Sequence, residues 1–509
     1  MRKMDSIQKN QKKEAINNKK IVFLLNGEKR ELTIPPGMTL LEMLHEKLNL
    51  YGTKSTCNEG DCGACTVIIG RREKESGISY RAVNSCIYPA ARIHNKHLIT
   101  IEGVGSPDKL HPVQEALLDY HGTQCGYCTP GFVMAIIALF SNNPKPEKED
   151  IFASLEGNLC RCTGYDAIMQ ATLYLKEKLK EGTSLLPAKL TGVEEKIGRL
   201  PETVIDLPSE NREMFETVGY LQPCSVEELS GMLARFEESR EYGFVNGATD
   251  LLVQANVSRI FRPWLIDVAE IPELRRIELE NNKIFIGAAA TLSELTASPV
   301  IKDNLPVLVK TVSLMASSQI RNMATIGGNI GNASPVADTP PVLMVLESEL
   351  ELTSAAGVRI VKMSDYYLDY KKTVLKTGEF ISGMFIPLLK DEGSFTYRNM
   401  KKASKRRAVD ISTVNSAVSL QISAGRLKNV RLAYGGVAVY PALAKETMKF
   451  MEGRELDPAW FEEAAEKAVA EFKPISDVRG RDEYRRMVIG NHLLGYLGEV
   501  YGGKKPADE

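Results

Sequence analysis

CNEGDCGACTV, residues 57–67, sets Cys57, Cys62 and Cys65 in a C-x4-C-x2-C run, and Cys86 completes the quartet downstream. Gly60 and Gly63 let such a loop curl tightly, so that backbone amides point at sulfur. Four thiolates at this spacing are what a 2Fe–2S cluster needs, and amide hydrogen bonds to the sulfurs tune its potential. Disulfides are at odds with a reducing compartment, and structural zinc usually shows two C-x2-4-C or Cys/His pairs. A second quartet lies in QCGYCTPG (124–131) and GNLCRCTGY (157–165): Cys125, Cys128, Cys160 and Cys162. Taken alone, its C-x2-C and C-x-C pairs fit zinc as well as iron and sulfide. Eight of the nine cysteines therefore read as metal ligands, and two clusters in one chain imply electron transfer. The ninth, Cys224, reads as a buried bystander.

Upstream, Lys20–Leu25 reads as a strand, Asn26-Gly27 as a tight hairpin and Glu31–Ile34 as the returning strand. Leu40, Leu41, Leu44 and Leu48 recur at helical spacing, with Thr39 as the cap. Hairpin, helix and cysteine loop follow one another as in ferredoxin-type β-grasp domains. From about residue 105 the pattern turns helical. Thr129-Pro130 reads as a helix start, with a hydroxyl N-cap and proline at the first helical position. The apolar run Phe132–Phe140 then forms a buried helix, and Ile168, Thr172 and Leu175 mark another. This places Cys128 and Cys162 at helix N-termini, where the partial positive charge favours thiolate. A polar linker follows, and beyond it short strands (Gly243–Asn246, Lys283–Ile286, Glu379–Ile386) alternate with helices.

The chain has 509 residues, enough for roughly three or four domains of ~150 residues. Its net charge of −1 argues against a nucleic-acid partner. The longest apolar run, Phe132–Phe140, is far short of the ~20 residues that span a bilayer, so no membrane segment is expected. Residues 1–20 read as a disordered basic tail without a secretion signal, which makes the expected location cytoplasmic.

No G-x-G-x-x-G follows a predicted strand, so a Rossmann site is unsupported. Two other turns, FVNGATDL (244–251) and TIGGN (325–329), bring glycine amides where they would cradle a diphosphate. Thr249, Thr325 and Asn329 would add side-chain donors. Each turn alone also reads as purely structural.

The flanks of the cysteines carry a resemblance. QCGYCTPG and GNLCRCTGY resemble the helical 2Fe–2S domain of the xanthine oxidase (molybdenum hydroxylase) family. TKSTCNEGDCGACTV (53–67), with Ser85-Cys86 and Thr100–Gly103, resembles that family's plant-type cluster. Thr56 and Asp166-Ala167 depart from the usual glycine and Arg-Pro without removing a ligand. The resemblance implies an α+β multidomain fold: a disordered tail (1–20), a β-grasp plant-type ferredoxin domain (21–103) and a helical 2Fe–2S domain (104–180). A linker (181–214) would follow, then an α/β FAD domain of the non-Rossmann, vanillyl-alcohol oxidase-like (PCMH) type (215–389) and an α+β flavoprotein C-terminal domain (390–500). The end of that last domain is matched by PISDVRGRDEYRR (474–486).

By the same resemblance Cys125, Cys128, Cys160 and Cys162 hold the cluster nearest molybdenum, and Cys57, Cys62, Cys65 and Cys86 hold the one nearer the flavin. Phe244, Val245, Asn246, Gly247, Ala248, Thr249, Asp250 and Leu251 would wrap the FAD diphosphate. Thr325, Ile326, Gly327, Gly328 and Asn329, with Ser334, would contact phosphate and ribityl groups. Asp338 would bind toward the adenosine end, Ile381 would touch the flavin through its backbone, and Lys401 would lie beside it. The loop around Ala408–Asp410 is one residue longer than in the oxidase form.

A molybdenum domain would need several hundred residues beyond Glu509. The implied protein is thus the small iron–sulfur/FAD subunit of a xanthine dehydrogenase-type oxidoreductase, paired with a molybdopterin-binding large subunit as a heterodimer or dimer of heterodimers. Electrons from xanthine or hypoxanthine would pass through both clusters to FAD and NAD+, and no side chain of this chain reads as catalytic. The alternatives are a freestanding iron–sulfur flavoprotein reductase, or the same subunit in an aldehyde, N-heterocycle or aromatic-thioester enzyme.

Overall fold

Asn26 and Gly27 adopt φ values of 50° and 86° in the computed structural model of the chain, the left-handed pair that a two-residue hairpin turn demands. They join β1 (Ile21–Leu25) to β2 (Glu28–Leu32), so the returning strand starts earlier than its β-branched residues suggest. With β3 (Thr66–Glu73), β4 (Gly77–Asn84) and β5 (His97–Ile99) they form a sheet of order β2-β1-β5-β3-β4. β1 and β5 run parallel and the other neighbours antiparallel, which is the β-grasp arrangement. Thr39 caps the helix Leu40–Glu42 through a reciprocal box with Glu42. The expected continuous α-helix instead widens into a π turn over Met43–Lys47. The structure describes residues 20–73, 77–179, 185–187, 190–193, 196–197, 206–208, 219–236, 241–388 and 395–503. The tail expected over 1–20, apart from Lys20, and most of the linker expected over 181–214 lie outside the described residues.

Helices Pro112–Asp119, Thr129–Asn142, Lys148–Leu155 and Asp166–Lys178 follow. The second of them is buried on nearly every side from Gly131 to Phe140, as a helix apolar all round must be. It packs against Ile68, Tyr80, Ala82 and Ile99 of the sheet. Its N-cap is Cys128, one residue before the expected Thr129, because Cys128 already has near-helical angles (φ −82°, ψ −15°). Cys162 does not stand at a helix N-terminus. It lies in the turn ahead of Asp166–Lys178, whose N-cap is Tyr165, held in the left-handed region at φ 72°.

The described residues pack as two compact units. The first runs to Pro223 and also takes in Ser239–Val268 and Ser317–Met323. Its later part is a sheet of β6 (Asp206–Pro208), β7 (Gly219–Leu221), β8 (Tyr242–Val245) and β9 (Trp264–Asp267), ordered β6-β7-β9-β8. Helix Leu251–Ser258 follows β8. Val245, Ala248 and Leu252 share one apolar core with Phe23, Leu40, Ile87 and the cysteines Cys65 and Cys86.

The second unit comprises Cys224–Glu238, Ala269–Ala316 and the chain from Ala324 onward. β10 (Ile277–Glu280), β11 (Lys283–Gly287), β12 (Glu349–Ser354), β13 (Gly357–Lys362) and, beyond the small hairpin β14 (Tyr367–Asp369) and β15 (Lys372–Thr373), β16 (Phe380–Pro387) make its first sheet. The order is β10-β11-β16-β12-β13. Helices Leu292–Ala297, Pro306–Ser313 and Thr339–Val345 bury their apolar faces in the same core as Ile284, Leu350 and Met384 of that sheet. A meander of β17 (Phe395–Ala403), β18 (Val414–Ser423), β19 (Arg426–Gly435) and β20 (Ala442–Leu443) follows. Helices Phe461–Glu471 and Asp482–Tyr501 share a core with it around Tyr397, Val418, Leu432 and Tyr496. Cys224 is exposed, contrary to expectation, because it sits just outside the helix Val226–Leu233 that Ser225 caps. Among the described residues no helix is long and apolar enough to cross a membrane.

Candidate functional site

The first cysteine quartet converges because its loop coils through three left-handed positions: Asn58 (φ 58°), Gly60 (85°) and Gly63 (67°). A side chain at Gly60 would collide with Ile87 and Ile320, so glycine is required both for φ and for space. Asn84 donates its amide to the Gly60 carbonyl, and the Ser85 hydroxyl donates to the Cys65 carbonyl at 2.7 Å. Cys65 and Cys86 are buried with their sulfurs 3.3 Å apart. Half-buried Cys57 is hydrogen-bonded to Cys62 and Cys86, which holds its thiol far below the ordinary range. The same bond with Cys57, then burial, pushes the Cys62 thiol up. Four thiols this close cannot all ionise unaided, since like charges oppose one another. A cationic centre removes the conflict.

The second quartet forms another such set. Cys125 and Cys162 are exposed with sulfurs 3.7 Å apart, and Cys128 is hydrogen-bonded to Cys160. Burial, aided by that bond, pushes the Cys128 thiol up to about 12. Opposing this, Cys128 caps the helix Thr129–Asn142, whose N-terminal amides favour negative charge. The Thr163 hydroxyl donates to the Cys160 sulfur at 3.1 Å, and the Cys160 amide donates to the Tyr165 hydroxyl at 3.1 Å. No cysteine of either set is in a disulfide. Among the described residues, no three His, Cys, Asp or Glu side chains converge on a single ion position. The four sulfurs of the first set instead form a run, Cys62 to Cys57 to Cys86 to Cys65, and those of the second approach as Cys125 with Cys162 and Cys128 with Cys160. Two thiolates for each of two irons is the donor set of a 2Fe–2S cluster.

The two expected flavin turns fall in different units. In the first unit, Phe244 and Val245 end β8, and the chain turns through Asn246, Gly247 and Ala248 (φ 62°). Thr249 and Asp250 then lead into helix Leu251–Ser258. A strand end, a turn with a left-handed residue and a helix start form the setting in which backbone amides build anion nests. In the second unit, buried Thr325 caps Ile326–Gly331 by accepting from the Gly328 amide at 3.2 Å. Gly327 lies flat on Ala288, where a side chain would collide, and its amide donates to the Ala288 carbonyl at 3.0 Å. The Asn329 side chain accepts from the Thr339 hydroxyl at 2.6 Å, and Ser334 accepts from the Val336 amide at 3.4 Å. Ile381, half-buried on β16, approaches Gly331.

Asp338 is buried and caps helix Thr339–Val345; its carboxylate accepts from Lys402 at 2.9 Å, from Asn415 at 2.7 Å and from the Ser412 hydroxyl. Lys401 is ion-paired with Glu499 on the last helix and lies over the Tyr496 ring. These partners of Asp338 and Lys401 escape sequence reasoning, because pairings across long stretches of chain leave no local spacing to read.

A β-grasp and a helical domain with four thiols each, ahead of a two-part fold with glycine-rich turns, define an iron–sulfur flavoprotein. Family models match in the same order: "2Fe-2S iron-sulfur cluster binding domain" over residues 23–91 and "[2Fe-2S] binding domain" over 100–173. "FAD binding domain in molybdopterin dehydrogenase" matches 213–389, and "CO dehydrogenase flavoprotein C-terminal domain" matches 399–500. The xanthine dehydrogenase/oxidase of Gallus gallus is 32% identical over 92% of this chain, which covers 39% of that protein. Xanthine dehydrogenase 1 of Arabidopsis thaliana is 32% identical over 85% of this chain and 36% of its own length. A chain of the reconstituted CO dehydrogenase from Oligotropha carboxidovorans superposes with a TM-score of 0.51 at 30% identity, over 55% of this chain and 96% of that one. The chain belongs to the xanthine oxidase (molybdenum hydroxylase) family of oxidoreductases, and its part is electron transfer through two 2Fe–2S clusters and FAD. It spans well under half the length of the xanthine dehydrogenases it matches.

Proposed function

We propose that this chain is the electron-transfer subunit of a molybdenum hydroxylase, fed by a molybdopterin-bearing large subunit and delivering electrons to NAD+, in xanthine or hypoxanthine oxidation. The route runs from the partner to the cluster of Cys125, Cys128, Cys160 and Cys162, then to that of Cys57, Cys62, Cys65 and Cys86, and then to FAD. One observation carries the order of the last two stations. Cys65 and Cys86 share an apolar core with Val245 and Ala248 of the first flavin turn, and Asn256 of the helix after that turn donates to the Cys86 carbonyl at 2.8 Å. The exposure of Cys125 and Cys162 supports the other end, since electrons from a partner must arrive at an accessible site.

FAD, when bound, accepts electrons singly and releases two with a proton as hydride. The protein holds and orients it. Phe244–Leu251 would wrap the diphosphate, and Thr325–Asn329, with Ser334, would contact phosphate and ribityl groups. Asp338 would bind toward the adenosine end, its carboxylate held in place by Lys402, Ser412 and Asn415. Ile381 would offer its backbone to the flavin, and Lys401, held by Glu499, would lie beside it. The large subunit carries the substrate pocket, and the assembly works in the cytoplasm as a heterodimer or a dimer of heterodimers. The CO dehydrogenase match favours a second reading, in which the same electron route serves a different substrate and acceptor.

In the assembled enzyme, Cys125→Ala should keep FAD and let NADH reduce it, while substrate no longer does. Substrate-driven NAD+ reduction at the normal rate in that variant would contradict the route.

A further inference from the structure

The two cysteine loops meet backbone to backbone. The Leu159 amide donates to the Cys62 carbonyl at 2.9 Å. Leu159 precedes Cys160, so one hydrogen bond joins a ligand of the first cluster to the peptide neighbour of a ligand of the second. The rest of that route, from the Cys62 sulfur to the Cys160 sulfur, is covalent. Beside it, the Asn158 side-chain amide donates to the Gly63 carbonyl at 3.0 Å and lies 3.4 Å from the Thr66 hydroxyl. The Asn158 side-chain oxygen accepts from the Gln319 amide at 2.7 Å. Asn158 is 2% exposed and Gln319 is fully buried.

Three glycines make this approach possible. A side chain at Gly63 would strike the Gly157 carbonyl, one at Gly131 would strike the Gly63 carbonyl, and one at Gly157 would strike Gln319 and Ser317. At these three positions no side chain holds the loops apart, so their spacing is set by the bonds across the joint. Two amide side chains buried at such a joint are costly unless each bond is made, because an unmet buried amide has lost its water without a replacement. Here the bonds between them are made, and Gln319 is itself fixed by the short helix Ser318–Arg321, where Arg321 pairs with Glu156 at 3.0 Å.

We propose that Asn158, braced by Gln319, is a positioning residue that fixes the gap between the two cluster loops and so the coupling between the clusters. A single electron crosses that gap with no bond made or broken and no proton moved; what Asn158 controls is the length of the Leu159–Cys62 hydrogen bond. The inference rests on the electron route proposed above.

The test uses the full chain carrying both clusters, with Asn158→Ala and Gln319→Ala variants. Low-temperature electron paramagnetic resonance of the reduced protein reads the magnetic interaction between the clusters, and flash reduction reads the rate of exchange between them. Iron content and the g-values of each cluster should be retained. The splitting should shrink, and exchange should slow about tenfold, the lower end of the ~10–100-fold that losing an outer-shell partner costs a metal site. Gln319→Ala should move both readouts the same way by less, and it decides the matter if Asn158→Ala does not assemble. Unchanged splitting and exchange with both clusters intact would overturn the proposal. So would loss of one cluster's iron in both variants, which would make the pair a support for ligation alone. A wild-type chain holding both clusters but exchanging no electron between them would overturn the route itself.

Discussion

Gly131 shows how a single atom fixes this site. It opens the buried helix after Cys128, and its Cα faces the Gly63 carbonyl closely enough that a methyl group has no room. Gly131→Ala must push the two loops apart, at about 1–3 kcal/mol for overpacking a closed core. The expected result is a lower unfolding midpoint and reduced iron retention after gel filtration, whereas wild-type values in both would show that the joint is softer than its packing implies. The cysteines themselves were legible from spacing, because ligands from one short loop must be near neighbours in the chain. Asn158 was not, since its bond to Gly63 spans 95 residues and has no periodic trace. The same holds for Asp338, whose partners Lys402, Ser412 and Asn415 lie on β17, β18 and the loop between them, far along the chain.

Among the elements, helix Thr129–Asn142 is the one on which the packing of the cluster-bearing domains turns. It joins the helical core to the back of the β-grasp sheet through Phe132, Ile136 and Phe140. Phe132→Ala should therefore cost about 3–5 kcal/mol, the range for removing a buried aromatic ring. Urea unfolding checks this, and a loss under about 1 kcal/mol would contradict the assigned packing. Nine consecutive apolar residues after a proline make this helix readable, but its N-cap falls at Cys128, which is already half-helical, and its end at Asn142. The helix after Thr39 is less legible. Its leucine spacing matches an α-helix, but the turn over Met43–Lys47 widens into a π turn, and nothing in side-chain periodicity separates the two forms.

On the scale of the whole molecule, each unit carries a buried histidine that cannot charge without loss. His97 of the first unit and His492 of the second are held down to about 4, by burial first and then by Lys196 and Lys401 respectively. An unfolded histidine titrates near 6.5, so between about pH 6.5 and 4 the unfolded chain binds more protons than the folded one. Stability must fall as pH drops through that window, by a few kcal/mol per histidine, and be flat with respect to these groups above it. Thermal unfolding at pH 7 and pH 5 checks the slope. His492→Gln should flatten it for the second unit only, and an unchanged slope in that variant would assign the effect elsewhere. The order of domains was legible because motifs occur in chain order. The return of Ser239–Val268 and Ser317–Met323 to the first unit was not, since a segment's choice of packing partner is settled by burial and not by its own pattern. Eight thiols holding two distinct 2Fe–2S clusters in a chain that also binds FAD give the molecule its function. Anaerobic reduction of the purified chain, followed by electron paramagnetic resonance and visible absorption, tests this most directly. The wild-type chain should show flavin absorbance and two iron–sulfur signals, one lost in Cys65→Ser and the other in Cys125→Ser; a colourless chain holding zinc, or a single signal that both variants abolish together, would refute this assignment.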